Sequence, residues 1–187
     1  MNSQLSTLNF QLSTLIILCC VFFAASVHAA PTCETSSIPA STPNSQLIDN
    51  GDGTITDSKT GLMWKTCSEG QIYSSSPSSD CTGTATTFTW QGALKQPGVV
   101  NASSGFAGYT DWRLPNLKEL RSIVEEQCYD PAINATRFPN TPSSFVWSGS
   151  PYADYSDYAW SVNFSNGHSD SDSRNDSDAV RLVRGGQ

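Results

Sequence analysis

A chain of 187 residues with a formal charge of −7 is long enough for one domain with an appended tail. Its acidic balance argues against nucleic acid and other polyanions, which its long-range field would repel. Hydrophobic residues at 37% and aromatics at 10% suffice for a true core, whereas only 14% charged residues suits an extracellular β-rich domain better than a cytosolic enzyme.

The first fifteen residues repeat QLSTL at Gln4 and Gln11. An apolar run over 15–25 then leads to Val27-His28-Ala29, the small-residue pattern of a cleavage site, so residues 1–29 read as a signal peptide. The run is shorter than the roughly 20 residues a spanning helix needs. Lipidation at Cys19 or Cys20 is disfavoured, because Ile17 and Leu18 stand where small residues belong. Export is therefore expected, to the extracellular space, cell surface or periplasm.

Removal of Cys19 and Cys20 leaves Cys33, Cys67, Cys81 and Cys128, an even number in an oxidising compartment. Four cysteines allow three pairings. The preferred one joins Cys67 to Cys81 around a local Ser/Gly-rich excursion and leaves Cys33 to pin an N-terminal arm to Cys128. A metal centre is the rival, but there is no C-x-x-C and His168 is the only histidine after the signal.

Residues 30–46 are Ser, Thr and Pro with little to bury and read as an arm or linker; the domain proper spans 47–187. Around Asp49-Asn50-Gly51-Asp52-Gly53 an EF-hand alignment would put Ile48 and Lys59 where carboxylates are required, so a turn into a hairpin of 54–57 and 62–64 is predicted instead. Thr89 can cap a helix over 90–96 that Pro97-Gly98 ends. Asn116 and Glu119 form a capping-box pair for a helix over 117–127, whose apolar face is Leu117, Leu120, Ile123 and Val124. Glu119, Glu125 and Glu126 then read as its solvated side rather than as catalytic acids.

Over 159–164, Trp160, Val162 and Phe164 alternate with Ser161 and Asn163, a half-buried strand with its apolar face inward. Asn166-Gly167 supplies a two-residue hairpin loop. No apolar residue occurs over 168–178 before a strand-like pattern resumes at 179–184. The polar run is either a solvated loop or a recognition surface held by a rigid sheet. In the second reading the ligand meets Tyr152, Tyr155, Asp157, Tyr158, Asn163, Asn166, His168, Asp170, Asp172, Arg174, Asn175, Asp176 and Asp178. No cofactor is expected, although Asp170, Asp172, Asp176 and Asp178 could hold calcium if they converge.

The string GYTDWRLPNLKEL at 108–120, with DNGDGTITDSKTGLMW upstream, FPNTPSSFVWSGSPYA in the middle and AVRLVRGGQ at the end, resembles the Lcl C-terminal domain family. The resemblance implies an α+β, C-type-lectin-like fold akin to formylglycine-generating enzymes, with two helices flanking twisted antiparallel strands. It also implies that Trp112, Trp147 and Trp160 are framework, and that Arg113, Arg181 and Arg184 pair with carboxylates such as Asp111 or Glu119. The family takes its name from an adhesin of sulfated polysaccharide, yet residues 152–178 carry six Asp against Arg174 alone, the wrong charge for sulfate. Tyr, Asp, Asn and Ser instead resemble binding-loop chemistry suited to a neutral glycan or a protein. Some proteins of this group are diversified by retroelements within the same residue set. The oxidase activity of the enzyme relatives needs cysteines near the C-terminus, and none follows Cys128; no G-x-S-x-G motif is present either. The expectation is a recognition module, with a structural envelope-associated domain without a specific ligand, or a hydrolase or oxidase on the same fold, as alternatives.

Overall fold

The computed structural model describes residues 30–102 and 104–185. The expected signal peptide and its two cysteines lie outside the described residues.

In chain order the elements are β1 (Thr32–Cys33), β2 (Leu47–Asp49), β3 (Thr54–Asp57), β4 (Met63–Lys65), β5 (Ile72–Ser74), β6 (Asp80–Thr82), β7 (Thr87–Phe88), α1 (Trp90–Asn101) and α2 (Leu117–Arg121). After these come β8 (Cys128–Tyr129), β9 (Phe145–Pro151), β10 (Tyr158–Asn163), β11 (His168–Ser173), β12 (Asp178–Ala179) and β13 (Val183–Arg184). A five-stranded sheet runs β11-β10-β9-β12-β7 and a four-stranded sheet β13-β4-β3-β2, with two small ribbons, β1-β8 and β5-β6. All pairings are antiparallel except β12 with β9. The result is a mostly β, α+β domain.

Two apolar cores hold the sheets. Trp64, Leu120, Ile123, Phe138, Val162 and Phe164 belong to one, and Trp112, Trp147, Ala159, Val180 and Leu182 to the other. Of the three fully buried indoles, two bond their N–H groups to backbone carbonyls, while Trp64 Nε1 has no protein partner. Trp147 Nε1 donates to the Phe88 carbonyl at 2.7 Å and Trp112 Nε1 to the Phe106 carbonyl at 3.1 Å.

Both disulfides form as expected, Cys33 with Cys128 and Cys67 with Cys81. They point to an oxidising environment. Among the described residues no helix is long and apolar enough to cross a membrane. The arm at 30–46 is docked as well as cross-linked, because Glu125 accepts from the backbone and hydroxyl groups of Ser41 and Thr42.

Near Asp52 the turn satisfies itself. Gly51 N–H donates to Asp49 Oδ1, and Asp52 Oδ1 accepts from both the N–H and the hydroxyl of Thr54. The hairpin reading of this stretch is the one observed.

Both helices depart from expectation. α1 continues past Pro97 to Asn101, because the Asn101 side chain clamps the Trp112 backbone, donating to its carbonyl at 2.7 Å and accepting from its N–H at 2.9 Å. That tertiary anchor outweighs the helix bond Pro97 cannot make. α2 has its capping box but stops after five residues. The Ser122 hydroxyl takes the Glu119 carbonyl at 2.7 Å, and Val124 forms a bridge with Ile133 instead of a further turn. Glu125 is consequently buried, not solvated.

Arg113 makes a two-bond fork with Glu119, 2.7 Å on each arm, and Arg184 does the same with Asp111 at 2.7 and 3.1 Å. Arg181 has no such partner. Fully buried, it donates to the carbonyls of Lys65 and Thr66 and to the hydroxyls of Ser68 and Thr141, under the Phe138 ring. Burial pushes its guanidinium down to about 9, against the pull of Glu69.

Candidate functional site

The predicted site residues concentrate on the β10–β11 hairpin and its approaches. Its turn is longer than expected. Asn163 pairs with His168, leaving four residues between the strands, and the N–H of Gly167 closes on the Asn163 carbonyl at 2.7 Å. Gly167 has φ +78°, and a Cβ there would meet the Val124 side chain at 2.7 Å, so the position requires glycine. The turn itself carries Phe164 into the core.

The polar run is a strand over its first six residues, not a loop. His168-Ser169-Asp170-Ser171-Asp172-Ser173 pairs residue for residue with β10. Directly paired residues share a sheet face, so the hairpin sorts the candidates onto two sides. Tyr158, Trp160 and Val162 share one with Ser173, Ser171 and Ser169; Arg121 from α2 reaches Ser169 Oγ at 3.3 Å on this side. Ala159, Ser161 and Asn163 share the other with Asp172, Asp170 and His168. The candidates therefore do not form one continuous surface.

Trp160 was expected among the inward framework and Ser161 outward. Ser161 is buried, whereas Trp160 is only half-buried. The Trp160 ring meets Tyr152 edge to face at 4.9 Å. From Tyr152 the aromatic contacts run on, stacked at 6.0 Å to Tyr155 and tilted at 5.9 Å from Tyr155 to Tyr158. Tyr155 is 62% exposed. The Asp154 carboxylate beside Tyr152 holds its hydroxyl above the usual phenol range. Beside Trp160, a groove continues over Asn116, Leu117, Lys118, Ser150 and Pro151. Trp160, in contact with Tyr152, and Lys118, in the groove beside Trp160, are residues that sequence reading did not place in the site.

At the far end of β11, Arg174 turns inward on its own framework. Its Nε donates to the Tyr158 carbonyl at 3.0 Å and its guanidinium lies 4.3 Å over the Trp90 ring. The backbone N–H of Arg174 donates to the Asp157 carbonyl at 2.8 Å, tying the tyrosine loop to this corner. Asn175, Asp176, Asp157 and Asn166 are exposed.

Three carboxylates meet at the same corner. The Asp176 N–H folds back on the Ser173 carbonyl at 2.9 Å, and Asp178 follows in β12 opposite Phe88. Burial raises the Asp172 carboxyl, and a hydrogen bond with Asp176 raises it further. Asp178, expected on the exposed face, is only 8% exposed, and its Oδ2 has no hydrogen-bond partner. Burial first, then the charges of Asp172 and Asp176, push its carboxyl up to about 7. Among the described residues no three His, Cys, Asp or Glu side chains are arranged to hold a metal ion.

Fold and site thus define a disulfide-bonded, mostly β domain that gathers exposed aromatic and acidic side chains around one edge hairpin. Residues 53–184 match the model of the Lcl C-terminal domain, and the chain belongs to that family. Compared with curated proteins, it shows no match.

Proposed function

We propose that this domain is an exported, adhesin-like recognition module that binds a glycan or protein ligand through the Tyr152–Tyr155–Tyr158 patch and the adjoining β11 edge. The observation that carries the reading is the run of contacting rings from Trp160 through Tyr152 and Tyr155 to Tyr158, with Tyr155 mostly exposed in its middle. Tyrosine supplies large, rigid contact area at low entropic cost, and the short Ser and Asp side chains beside it adapt to hydrogen-bonding partners.

Export is supported by the apolar run at 15–25, the Ala29 cleavage pattern and the two disulfides. It places the domain outside the cell, at its surface or in the periplasm. The C-type-lectin-like architecture belongs to this proposal through the family resemblance, as does retroelement-driven variation of the exposed Tyr, Asp, Asn and Ser positions. A non-catalytic role is supported by the hairpin register, which puts His168 and Ser169 on opposite faces of β11 and so separates a base from its neighbouring hydroxyl. A sulfated ligand is disfavoured by Asp154, Asp157, Asp170, Asp172 and Asp176 around the patch.

Glycan and protein arrays probed with the oxidised domain test the proposal. A ligand whose binding is lost in Tyr155→Ala and Tyr158→Ala supports it. Binding indifferent to both substitutions, or no ligand on either array, sinks it in favour of a structural envelope role.

A further inference from the structure

We infer that the groove between the start of α2 and the exposed side of β10 is a sugar subsite, which seats one uncharged pyranose unit of a glycan against the indole of Trp160. This deepens the recognition reading above and rests on it, choosing glycan over protein.

The walls of the groove are fixed before any ligand arrives. Asn116, Leu117 and Lys118 come from the start of α2, Ser150 and Pro151 from the end of β9, and Trp160 from β10. The Gly149 N–H donates to the Pro115 carbonyl at 2.7 Å and the Leu117 N–H to Ser150 Oγ at 3.0 Å, which fastens α2 to β9. Ser148 Oγ donates to the Trp160 carbonyl at 2.7 Å, which fastens β9 to the backbone that carries the indole. Side chains set on such walls lose little freedom on binding. The volume, about 330 Å³, lies at the lower end for small-molecule sites and suits a single sugar unit.

The lining holds donors that the protein leaves unspent. Of the five indoles, those of Trp90, Trp112 and Trp147 donate to backbone carbonyls and that of Trp64 is sealed in the core. Trp160, half-buried, has no partner for its N–H among the described residues. Asn116 spends its Oδ1 on the Glu119 N–H, and its amide N–H groups remain. Ser150 Oγ only accepts, from Leu117, so its own proton is free to be donated. Lys118 is exposed and belongs to none of the four ion pairs among the described residues. The nearby Glu119 carboxylate does not offset these donors, because Arg113 and the Asn116 N–H already hold it.

Three features then converge on one ligand class. Unspent donors from four side chains call for a ligand rich in acceptor oxygens. The indole, with Leu117 and Pro151 beside it, offers an apolar wall whose electron-rich face attracts polarised C–H bonds. Beyond Trp160 the acids begin, since Trp160 touches Tyr152 and Asp154 and Asp170 act on the Tyr152 hydroxyl, a setting that repels a polyanion. An uncharged pyranose meets all three, with hydroxyl and ring oxygens on its rim and C–H bonds on its face. A glycan chain leaving the groove past Trp160 runs directly onto the tyrosine patch.

The test titrates the methyl glycosides of glucose, galactose, mannose and N-acetylglucosamine into the intact oxidised domain, isotope-labelled and with its indole N–H signals assigned. The methyl glycoside of glucuronic acid and an acetylated, amidated trialanine serve as charged and peptide counterparts. Asn116→Ser with Lys118→Ala removes the amide and ammonium donors yet keeps a capping hydroxyl for α2. Lys59→Ala removes the same charge from an exposed site elsewhere, and equal melting temperatures verify folding. A saturable shift of the Trp160 indole signal by at least one neutral glycoside, weakened about ten-fold or more in the double variant and little changed in Lys59→Ala, supports the subsite. No shift of that signal with any neutral glycoside overturns it, a result that needs no variant. Equal loss in Lys59→Ala overturns it, as does a double variant that binds like the wild type. Tighter binding of the glucuronide or of trialanine overturns it in favour of an anionic or a peptide ligand. An array protein that needs Tyr155 and Tyr158 but tolerates the Asn116/Lys118 variant overturns the subsite and leaves the recognition reading standing.

Discussion

The Glu125 carboxylate accepts both the N–H and the hydroxyl of Thr42 at 2.9 Å, across 83 residues of chain. Its other oxygen takes the N–H of Ser41 at 2.8 Å and that residue's hydroxyl at 3.0 Å. A single buried charge thereby docks the arm that composition alone presents as a linker.

Glu125→Ala leaves the N–H and hydroxyl donors of Ser41 and Thr42 facing a cavity, and hydrogen bonds to a charged acceptor contribute about 1.5–3 kcal/mol each at most, without adding in full. Expected is a loss of about 2–4 kcal/mol in chemical denaturation. Burial by itself would raise the Glu125 carboxyl, but the hydrogen bonds from Ser41 and Thr42 outweigh it and leave it lowered. Its contribution is present above the ordinary glutamate range and fades as pH falls through the lowered value. Glu125→Gln should therefore differ most from wild type near neutrality and least in acid.

Asp178 has the opposite sign. Its carboxyl, pushed up to about 7 from 3.8, binds a proton in the folded state that the unfolded chain has already released. Stability from this group is full below the unfolded value and declines as pH rises from about 4 to about 7. Asp178→Asn should flatten that decline, so the variant gains on wild type with increasing pH. A difference in melting temperature that stays constant from pH 4 to 8 would contradict the assignment.

Arg181 holds the segment between β12 and β13 against the end of β4 through the Lys65 and Thr66 carbonyls. Arg181→Ala strands buried acceptors and opens a large void, a change expected to cost about 3–5 kcal/mol. Arg181→Lys rescues only in part, since an ammonium cannot reproduce the guanidinium fork to Ser68 and Thr141. Urea midpoints of the two variants measure both effects.

The Cys33–Cys128 bridge closes a separation of 95 residues and the Cys67–Cys81 bridge one of 14. In the chain-entropy account the first constrains the unfolded state more, by about 1–2 kcal/mol. Cys33→Ser with Cys128→Ser should lower the melting temperature further than Cys67→Ser with Cys81→Ser. Because the Glu125 clasp holds the same arm, adding Glu125→Ala to the first pair should be less damaging than the sum of the two.

Local chemistry written in the letters proved readable. The Cys67–Cys81 bridge, the hairpin of β3 and β4, the Asn116–Glu119 capping box and the family itself follow from short-range patterns, because turns, caps and local cross-links depend on neighbouring residues; the Cys33–Cys128 bridge is the pair an even cysteine count leaves over. HSDSDS at 168–173 was also readable in principle: Ser and Asp alternate with period two, a strand signature in polar residues that a search for apolar alternation passes over. What only the tertiary structure decided were outcomes set by distant partners. Trp112 carries α1 past Pro97, Ser41 and Thr42 draw Glu125 inward, and four backbone and hydroxyl oxygens take Arg181 where a carboxylate was expected. The same holds for the candidate site. Thirteen residues chosen for their chemistry became a tyrosine patch, a pair of hairpin faces and an acidic corner with Asp178 buried, because strand register, which assigns each side chain to a face, is fixed by pairing with β10 and not by composition.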